Sequence, residues 1–381
     1  MINSAFNKKK IGILGGGQLG KMLLQKAHDF SLNVSVLEPD NNAPCKSLTS
    51  HFVQGDFKNF DDVYHFGKKL DLITIEIENV NTAALKKLRD EGKEVYPQPE
   101  IIEMIQDKGL QKMFYQKHSI PTSDFFLVEN KAQIEKYTEY MPFYQKTRKG
   151  GYDGKGVKKI FVKEHIENAF NEPSVLERRV VVEKEISVIV ARNKNGETTT
   201  FPIVESVFNP TAHLVDYLIC PASVNKDIAE QANKLAKQIA DQLSLVGLLA
   251  IEYFISKEGK LFVNEMAPRV HNSGHHTIEA CITSQFEQLW RAILNFPLGD
   301  TTIIRPAVMI NLLGSEGFEG EAHYNGMETI LKYSGVYPHI YGKQNVKAFR
   351  KMGHITVTDK TISSALQKAK KIKELINVTA L

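Results

Sequence analysis

Short apolar runs separated by an amphipathic stretch open the chain. Residues 10–14 and 33–38 are rich in Ile, Val and Leu, and residues 21–30 between them repeat apolar positions at helical spacing. A further strand is predicted over residues 71–77 and ends in acidic side chains. Because strands that alternate with helices build parallel sheets with right-handed crossovers, this pattern predicts an α/β domain. We expect that domain to cover residues 1–105.

The pattern changes after this first domain. The predicted elements are helices over residues 107–118, 227–242 and 361–376, and strands within residues 174–190, 248–255 and 260–265. Strands and helices no longer alternate regularly, and the tail after about residue 300 is a series of short strands and turns. The fold class is therefore α/β at the N-terminus and α+β overall.

Composition and charge exclude several classes of protein. The 381 residues are 42% hydrophobic and 24% charged, which suits two or three ordinary globular domains. A net charge of +4 is too small for a nucleic-acid-binding surface. Cys45, Cys220 and Cys281 lie too far apart for a zinc site or a disulfide framework, so we expect a reducing cytoplasm. Neither a signal peptide nor a membrane-spanning run is predicted.

A first glycine run lies between the first strand and the first helix. Gly15, Gly17 and Gly20 satisfy the GxGxxG pattern, in which backbone N–H groups and a helix N-terminus approach an anion. Glu38 ends the second strand, where a ribose-binding acid would lie in an NAD-dependent dehydrogenase. A tight turn without a ligand and a turn that binds another phosphate both fit as well. Gln18 would orient such a ligand.

A second glycine run, residues 146–156, is less ordinary. It contains four glycines and four cationic side chains within eleven residues. Glycines allow a backbone to close over phosphates, and cations offset phosphate charge. No Gly-Lys-Ser/Thr ends the run, so it is not a Walker A loop. The run predicts a mobile flap over a nucleotide, and an exposed hairpin loop is the alternative.

Two carboxylates are predicted to face each other in a hairpin. A two-residue loop at Glu258-Gly259, followed outward without a bulge, places Glu252 opposite Glu265. Like charges that face each other in a ladder are destabilising, and apolar neighbours would strengthen their repulsion. A divalent cation with hard oxygen ligands, Mg²⁺, would remove the conflict, and Asn264 offers another oxygen. The alternative is a pair of exposed surface acids.

The segment after this hairpin is rich in polar side chains. Arg269 is suited to bidentate binding of a carboxylate or a phosphate. His271, His275 and His276 follow it, but their spacing on one element does not fit zinc ligands, so no zinc site is expected.

Taken together, these motifs resemble the ATP-grasp enzymes of purine biosynthesis. The resemblance rests on residues 150–156 and 264–275, on Gly15–Gly20 as GGGQLG, and on Arg350–His354, and these matches span nearly the whole chain in order. It implies an ATP-grasp fold with an N-terminal Rossmann-like domain, a mobile lid subdomain and a small C-terminal domain. The implied domains are residues 1–105, 106–300 with a lid at about 120–184, and 301–381.

The resemblance also implies a reaction. ATP phosphorylates bicarbonate to carboxyphosphate, and ADP leaves. Carboxyphosphate, or the CO₂ released from it, then carboxylates the exocyclic amine of aminoimidazole ribonucleotide, and phosphate leaves. Mg²⁺ is the implied metal, Mn²⁺ would also serve, and biotin is not used. The implied enzyme is a cytoplasmic homodimer that binds neither nucleic acid nor membrane. Glycinamide ribonucleotide synthetase, the formate-dependent transformylase and a non-catalytic nucleotide sensor are the other interpretations, besides the dehydrogenase.

Site residues are carried over by position. The residues implied to contact ATP are Lys108, Lys146, Gly151, Tyr152, Asp153, Gly154, Lys155, Gly156, Glu177, Arg178, Arg179, Val180, Glu185, Asn264 and Glu265. The residues implied to contact the ribonucleotide are Gln18, Glu76, Tyr152, Asp153, Arg269, His271, Asn272, Ser273, Lys343, Arg350 and Lys351. Glu252 and Glu265 would bind Mg²⁺. Asp153, Arg269 and Lys351 would be catalytic, and Asp153 with a basic partner would handle the amine proton.

The chain departs from the family pattern at two places. Many relatives have a histidine where this chain has Phe208, so a nucleotide contact from that side chain is absent. Arg148-Lys149 replaces the threonines that often precede the double glycine, which makes the flap more basic.

Overall fold

The computed structural model describes residues 6–151, 156–208 and 215–381. Within those ranges, no helix combines the length and the apolar character that crossing a membrane requires. The contacts predicted for Tyr152, Asp153, Gly154 and Lys155 lie outside the described residues, and they stay predictions.

A parallel sheet forms the N-terminal part of the molecule. Its strands are β1 (Lys10–Leu14), β2 (Asn33–Glu38), β3 (Phe52–Gln54), β4 (Leu72–Ile75) and β5 (Glu94–Val95), in the order β3-β2-β1-β4-β5. The helices are α1 (Gln18–Asp29), α2 (Phe60–Gly67), α3 (Thr82–Asp90) and α4 (Pro99–Ile105). Since β1 is central, the glycine turn after it opens at the carboxyl edge of the sheet, where ligands of such folds bind. The predicted parallel sheet is confirmed.

A second, antiparallel sheet carries the flap. Helix α5 (Lys108–Lys117) precedes it and begins at Asp107, whose carboxylate accepts the backbone N–H groups of Gly109 and Leu110. The strands are β6 (Phe125–Val128), β7 (Phe143–Thr147), β8 (Val157–Ile160) and β9 (Ser174–Arg178), in the order β6-β9-β7-β8. Short 3₁₀ helices cover Lys131–Tyr140 and Lys163–Asn168. The second glycine run joins β7 to β8.

The central sheet is antiparallel and spans the rest of the chain. Its strands are β10 (Val182–Arg192), β11 (Thr198–Thr200), β12 (Val204–Phe208), β13 (Val215–Cys220), β14 (Gly247–Ser256), β15 (Leu261–Ala267), β16 (Ala307–Leu313), β18 (Val336–Ile340) and β20 (Lys351–Thr358). The order is β15-β14-β10-β12-β13-β16-β20-β18, and β11 pairs with β10. Strands β17 (Gly320–Asn325), β19 (Asn345–Val346) and β21 (Asn377–Ala380) form a small separate sheet.

Helices cover this central sheet. They are α6 (Lys226–Gln242), α7 (Thr277–Ala280), α8 (Gln285–Ile293), α9 (Met327–Ile330) and α10 (Ile362–Leu375). Apolar residues of α6, such as Ile239, recur at helical spacing and pack on β10 and β14. The sheet itself continues from β13 to β16, where Ile219 lies opposite Val308. The boundary expected near residue 300 therefore falls between two hydrogen-bonded neighbours of one sheet, and the domain division stays a prediction.

The β14–β15 hairpin differs from its prediction in two ways that cancel. The backbone N–H of Ser256 donates to Lys260 O at 2.9 Å, so the loop holds three residues rather than two. Gly259, with φ +74°, supplies the left-handed residue that such loops use. The resulting one-residue offset is corrected by a bulge between the Tyr253–Val263 and Glu252–Glu265 pairs. The predicted bulge-free register is wrong, but the predicted pairing of Glu252 with Glu265 is confirmed.

Helix α8 fastens the parallel sheet to the central sheet. Trp290 is fully buried, and its indole N–H donates to the backbone oxygen of Leu23 on α1 at 3.0 Å. Lys21 Nζ, also on α1, donates to Ile340 O of β18 at 2.7 Å. Helix α1 therefore contacts both later parts of the chain, and its N-terminal glycine turn is held against them.

Candidate active site

A cleft of about 630 Å³ lies where the parallel sheet, the base of the flap and the loop after β15 meet. Many residues predicted to bind ligands line it. They are Gln18, Glu76, Lys108, Gly151, Arg269, His271, Asn272 and Lys351. The structure thus brings together residues from both glycine runs and from the C-terminal part of the chain.

A neighbouring cleft of about 450 Å³ shares Gln18 with the first. Lys343 and Arg350, which are predicted to meet the ribonucleotide phosphate, line it. Lys343 Nζ donates to Lys351 O at 2.7 Å, and Arg350 Nη1 donates to Asn345 O at 2.7 Å. Burial, and then the positive charge of Arg350, lowers the pKa of Lys343 to about 8. These cations gain from an anion placed beside them.

The first glycine turn binds carboxylates of its own chain. Gly16 N–H donates to Glu38 Oε2 at 2.7 Å, and the N–H groups of Gly17 and Gly20 donate to the Glu76 carboxylate at 3.3 and 3.0 Å. Burial raises the pKa of Glu76, although these amides oppose the shift. At Gly15, where φ is +98°, a Cβ would approach Glu76 Cγ to 2.6 Å. The glycine spacing is therefore explained by Glu38 and Glu76, which occupy the amides that a dinucleotide would need.

The paired acids lie on neighbouring strands, and Glu252 Oε1 is 3.8 Å from Nε2 of His271, which lines the cleft. Burial, followed by repulsion from Glu265 and Glu185, raises the pKa of Glu252. The bulge sits at Asn264, and Asn264 Oδ1 accepts from Lys146 Nζ at 3.1 Å. Bulges re-aim side chains, and this one turns an amide oxygen towards a predicted phosphate-binding lysine. Two acids that repel each other and an amide beside them form a donor set suited to a hard cation.

Glu185 adds a third carboxylate near this pair. It lies on β10, opposite Phe254 of β14 and Ser206 of β12. Burial raises its pKa to about 7, with Lys146 opposing the shift and Glu265 adding to it. A hydroxyl donor or a cation would stabilise its charged form. Its predicted contact with the ATP ribose stays a prediction.

The side chain of Glu177, a residue predicted to contact ATP, pairs with two lysines. Its buried carboxylate accepts from Lys146 Nζ at 3.1 Å and lies 3.4 Å from Lys112 Nζ. Burial opposes its ionisation, but Lys146 and Lys112 outweigh burial and hold its pKa at about 2. The backbone N–H groups of Arg178 and Arg179 donate to Asp124 O and Pro142 O. Those two amides are thus already satisfied within the fold, and the adenine contacts of this segment, which includes Val180, stay predictions.

Arg269 forms an ion pair that the sequence did not indicate. Its guanidinium donates a hydrogen bond to the Glu78 carboxylate and another to Val270 O, the latter at 3.1 Å. Burial alone would lower the pKa of Arg269, but Glu78 outweighs it and raises that pKa. Nearby, His271 Nδ1 and Ser273 Oγ lie 2.9 Å apart. Arg269 faces the cleft, whereas Ser273 is buried behind it.

Gln285 holds this loop and was missed from the sequence. Its side chain accepts from His271 N–H at 2.9 Å and donates to His271 O at 2.7 Å. The reciprocal pair fixes the backbone of the predicted substrate-binding loop. Gln285 begins α8, fourteen residues after His271. No short-range pattern relates the two residues, so only the fold reveals the contact.

The base of the flap is clamped to α5. Arg148 Nε and Nη2 donate to the two carboxylate oxygens of Asp107 at 2.9 and 2.8 Å. The backbone N–H of Lys108 donates to Arg148 O at 2.8 Å. Gly150 and Gly151 both have positive φ, which favours glycine, and Gly156 O accepts from Thr147 N–H at the flap's far side. Arg148, which departs from the family pattern, therefore ties the flap to the helix that carries Lys108.

The histidines do not form a metal centre. His275 and His276 are buried, and burial lowers the pKa of both. Across the described ranges, no group of three or more His, Cys, Asp or Glu side chains is arranged to hold a metal ion. A Mg²⁺ site made of two carboxylates and substrate phosphates would not form such a group by itself.

Family models match three consecutive parts of the chain. A ribonucleotide synthetase preATP-grasp domain matches residues 8–106, and an ATP-grasp domain matches residues 113–286. A phosphoribosylaminoimidazole carboxylase C-terminal domain matches residues 307–368.

Two curated proteins show how far the likeness extends. The N5-carboxyaminoimidazole ribonucleotide synthase of Bacillus subtilis (strain 168) is 38% identical over 353 residues, which cover 91% of this chain and 90% of that protein. The chloroplastic phosphoribosylaminoimidazole carboxylase of Vigna aconitifolia is 36% identical over 365 residues. That match covers 93% of this chain and 65% of the longer plant protein.

Solved structures agree with the sequence comparisons. The N5-carboxyaminoimidazole ribonucleotide synthetase of Thermotoga maritima has 40% identity and a TM-score of 0.91, covering 98% of this chain and 100% of its own. The Aspergillus clavatus enzyme, in complex with ADP and 5-aminoimidazole ribonucleotide, has 31% identity and a TM-score of 0.89, covering 97% and 99%. Fold and site together define an ATP-grasp ligase, an ATP-dependent enzyme that forms a carbon–nitrogen bond. The chain belongs to the N5-carboxyaminoimidazole ribonucleotide synthase family.

Proposed function

We propose that this chain carboxylates the exocyclic amine of 5-aminoimidazole ribonucleotide with ATP and bicarbonate, releasing ADP and phosphate. The central observation is the placement of Glu252 opposite Glu265, with Lys146 and Asn264 beside them, next to a cleft lined by both glycine runs. The Aspergillus clavatus relative holds ADP and the aminoimidazole ribonucleotide together, which supports both substrates.

Glu252 and Glu265 are the residues that would hold Mg²⁺. Their mutual repulsion is relieved by a cation, and Mg²⁺ prefers one or two carboxylates plus substrate phosphates over an all-protein cage. When bound, Mg²⁺ would neutralise charge on the ATP phosphates. Mn²⁺ takes similar oxygen ligands and would serve in its place.

Lys108 and Lys146 would contact the ATP phosphates from opposite sides of the flap base. Lys146 is positioned by two hydrogen bonds, to Glu177 and to Asn264. Lys108 is the first residue of α5, which the Arg148–Asp107 pair fixes to the flap. Phosphoryl transfer needs positioned cations more than a protein nucleophile, and this arrangement supplies them. Gly151 and Gly156 would let the flap backbone close over the phosphates.

The ribonucleotide would lie across the two clefts. Its phosphate would meet Lys343, Arg350 and Lys351, and its aminoimidazole would lie near Glu76 and Arg269. The remaining predicted contacts come from Gln18, His271, Asn272, Ser273, Tyr152 and Asp153. Because the amine would then point towards the flap base and the paired acids, it would meet the activated carboxyl group without crossing solvent.

The chemistry balances in two steps. A bicarbonate oxygen attacks the γ-phosphorus of ATP, which gives carboxyphosphate and ADP. The amine nitrogen then forms a bond to the carboxyl carbon, phosphate leaves, and the amine loses one proton. Asp153, with a basic partner, is assigned to that proton, and Arg269 is assigned to the carboxyl group. Lys351 is the third residue assigned a catalytic role. Closure of the flap would protect carboxyphosphate from water.

The test measures ADP release by the purified chain with ATP and Mg²⁺ in CO₂-depleted buffer. We expect release only when both bicarbonate and aminoimidazole ribonucleotide are present, with formation of the N-carboxylated product. Formate with its own ribonucleotide acceptor, and glycine with phosphoribosylamine, test the other ligase activities. Release that depends on the ribonucleotide but not on bicarbonate would refute the proposal. Glu265→Gln is the matched control, because it removes a metal ligand and keeps the shape of the side chain.

A cytoplasmic homodimer is also proposed: the compartment rests on the three separated cysteines, and the dimer rests on the family resemblance alone. Light scattering coupled to gel filtration measures the mass in solution. A mass of one chain at micromolar concentration would refute the dimer.

A further inference from the structure

One carboxylate oxygen of Glu177 is shared by two lysines and a hydroxyl. Lys146 Nζ lies 3.1 Å from Oε2, Lys112 Nζ lies 3.4 Å from it, and Ser123 Oγ donates to it at 3.2 Å. The side chains of Lys112 and Glu177 are only 2% and 7% exposed. Charges so little exposed to water interact strongly, so these three ionisable groups act as one electrostatic unit.

The two lysines of this unit have different surroundings. Lys112 Nζ donates to Thr122 Oγ1 at 2.6 Å and lies within the protein. Lys146 Nζ donates to Asn264 Oδ1 and so faces the paired acids and the proposed phosphate site. Two ammonium groups against one carboxylate leave one net positive charge. That charge is presented on the side of Lys146, because Lys112 is enclosed.

We propose that Lys112 is a positioning residue for phosphoryl transfer, which offsets the charge of Glu177 so that Glu177 can orient Lys146 without cancelling it. The inference rests on the proposed function, in which Lys146 contacts the ATP phosphates. Without Lys112, the pair of Lys146 and Glu177 would be neutral overall and would attract an anionic phosphate less. Lys112 would then act on the reaction from inside the protein, without touching ATP.

Protonation of the unit agrees with this arrangement. Burial lowers the pKa of Lys112 to about 8, so it stays largely protonated at neutral pH. Burial also acts against Lys146, but Glu177 and Glu265 outweigh it and raise the pKa of Lys146. Both lysines and the carboxylate are therefore charged together under ordinary conditions.

The test is a charge cycle on the full-length chain. The variants are Lys112→Met, Glu177→Gln and the double variant, and the measured quantities are KM for ATP, kcat, and the affinity for the ATP analogue AMPPNP with Mg²⁺. Lys194→Met is the matched control. Lys194 and Lys9 both contact Glu94, at 2.7 and 2.5 Å, which repeats the arrangement of two lysines on one glutamate outside the cleft.

We expect Lys112→Met to weaken AMPPNP binding and to raise KM for ATP by about tenfold or more, the size of one charge-assisted contact. Neutralising Glu177 as well restores one net positive charge at Lys146. The double variant should therefore bind the analogue more tightly than Lys112→Met alone. Lys194→Met should leave both quantities unchanged, and KM for the ribonucleotide should not move with Lys112.

A purely structural role predicts the opposite ordering. If the double variant binds AMPPNP as weakly as Lys112→Met or more weakly, the charge argument is wrong. If Lys112→Met does not unfold cooperatively, the comparison of the double variant with the unmodified chain carries the test. Both have one net positive charge at this unit, so the double variant should bind the analogue about as tightly as the unmodified chain, and a tenfold weaker affinity would overturn the proposal.

Different results would refute the proposed function and the proposed role of Lys112. Absence of bicarbonate-dependent turnover in the unmodified chain would refute the proposed function. AMPPNP titration needs no turnover, so the ordering of the four affinities still decides the role of Lys112.

Discussion

At the scale of single residues, Glu252 and Glu265 repel each other in the metal-free protein, and the same pair forms the proposed Mg²⁺ site. Burial and the charges of Glu265 and Glu185 raise the pKa of Glu252, so the folded state holds its proton more tightly than the unfolded chain does. The contribution of Glu252 to stability is therefore greatest in acid. It falls as pH rises from the ordinary glutamate pKa to the raised value in the folded protein. A cation that binds both carboxylates offsets this loss of stability, because it neutralises their mutual repulsion.

Glu252→Gln is expected to stabilise the metal-free protein and to abolish turnover. The gain in unfolding free energy should be below about 1 kcal/mol, the cost of like charges opposite each other in a sheet. It should be near zero at pH 4.5 and full at pH 9, because only ionised Glu252 is repelled. Urea unfolding in EDTA at both pH values measures it. Glu183→Gln, on the neighbouring strand and exposed, is the control. An equal gain at both pH values would contradict the argument.

Several residues of the site were predictable because their chemistry is local. Glu252 and Glu265 stand out by their hairpin, and Lys146 stands out by its glycine-rich neighbours. Lys112 and Glu78 were not predictable. Lys112 meets Glu177 sixty-five residues later, and Glu78 meets Arg269 across 191 residues. Nothing near either residue signals such a partner, because the contact exists only once the sheets have packed.

At the scale of secondary-structure elements, a short ion pair sets the position of the flap. Arg148 follows β7 and makes a bidentate pair with Asp107, which also caps α5. The Asp107 carboxylate is buried, and the Arg148 side chain is 23% exposed. Removing the arginine would leave a buried carboxylate with only its cap hydrogen bonds.

Arg148→Ala is expected to lower the free energy of unfolding by about 2 kcal/mol, the cost of a charged hydrogen-bonded pair. KM for ATP should rise, since the flap and Lys108 lose their common anchor. Arg148→Lys keeps the charge but not the bidentate geometry. Its free energy of unfolding should lie between those of Arg148→Ala and the unmodified chain. Arg89→Ala, which removes an exposed pair with Glu100, should cost less than about 1 kcal/mol. Urea unfolding and ATP kinetics measure these effects, and equal costs at both arginines would refute the clamp.

Element boundaries show where sequence reasoning succeeds and where it stops. The strands Lys10–Leu14 and Asn33–Glu38 have their predicted bounds, because short apolar runs bounded by turn and helix signals leave little choice. The β14–β15 hairpin has a longer loop and a bulge that compensate each other. A bulge adds one residue to one strand of a pair, and the pattern of apolar and polar side chains does not reveal it. The predicted pairing of Glu252 with Glu265 was correct, but the predicted two-residue loop and bulge-free register were not.

At the scale of the whole molecule, buried imidazoles gather where the central sheet meets the loop after β15. The ring of His354, on β20, stacks on His275 at 4.5 Å and on His339 at 4.4 Å, and His339 Nε2 lies 2.7 Å from Glu279 Oε1. Burial lowers the pKa of His275 and of His354 well below the ordinary value. The rings of His275 and His354 are therefore neutral at neutral pH, and adding a proton to either is unfavourable in the folded protein.

Acid should thus destabilise the folded chain through its buried histidines, and His276 isolates the effect of one. Burial lowers the pKa of His276 to about 4 from an ordinary value of 6.5. Below pH 6.5, His276 takes up a proton in the unfolded chain but stays neutral in the folded chain until the pH approaches 4. The stability linked to this group is thus complete above pH 6.5 and is lost as pH falls towards 4. Its share of the slope is about 1.4 kcal/mol per pH unit.

His276→Leu removes that proton uptake without changing a residue that lines the cleft. The free energy of unfolding of the variant, measured in urea from pH 4.5 to 7.5, should decline less steeply below pH 6.5 than that of the unmodified chain. His28→Leu, at an exposed position on α1, should leave the slope unchanged. Parallel curves for all three proteins would show that His276 titrates alike in both states. The acid sensitivity would then have to come from the stacked histidines, because they would be the remaining buried imidazoles at this junction among the described residues.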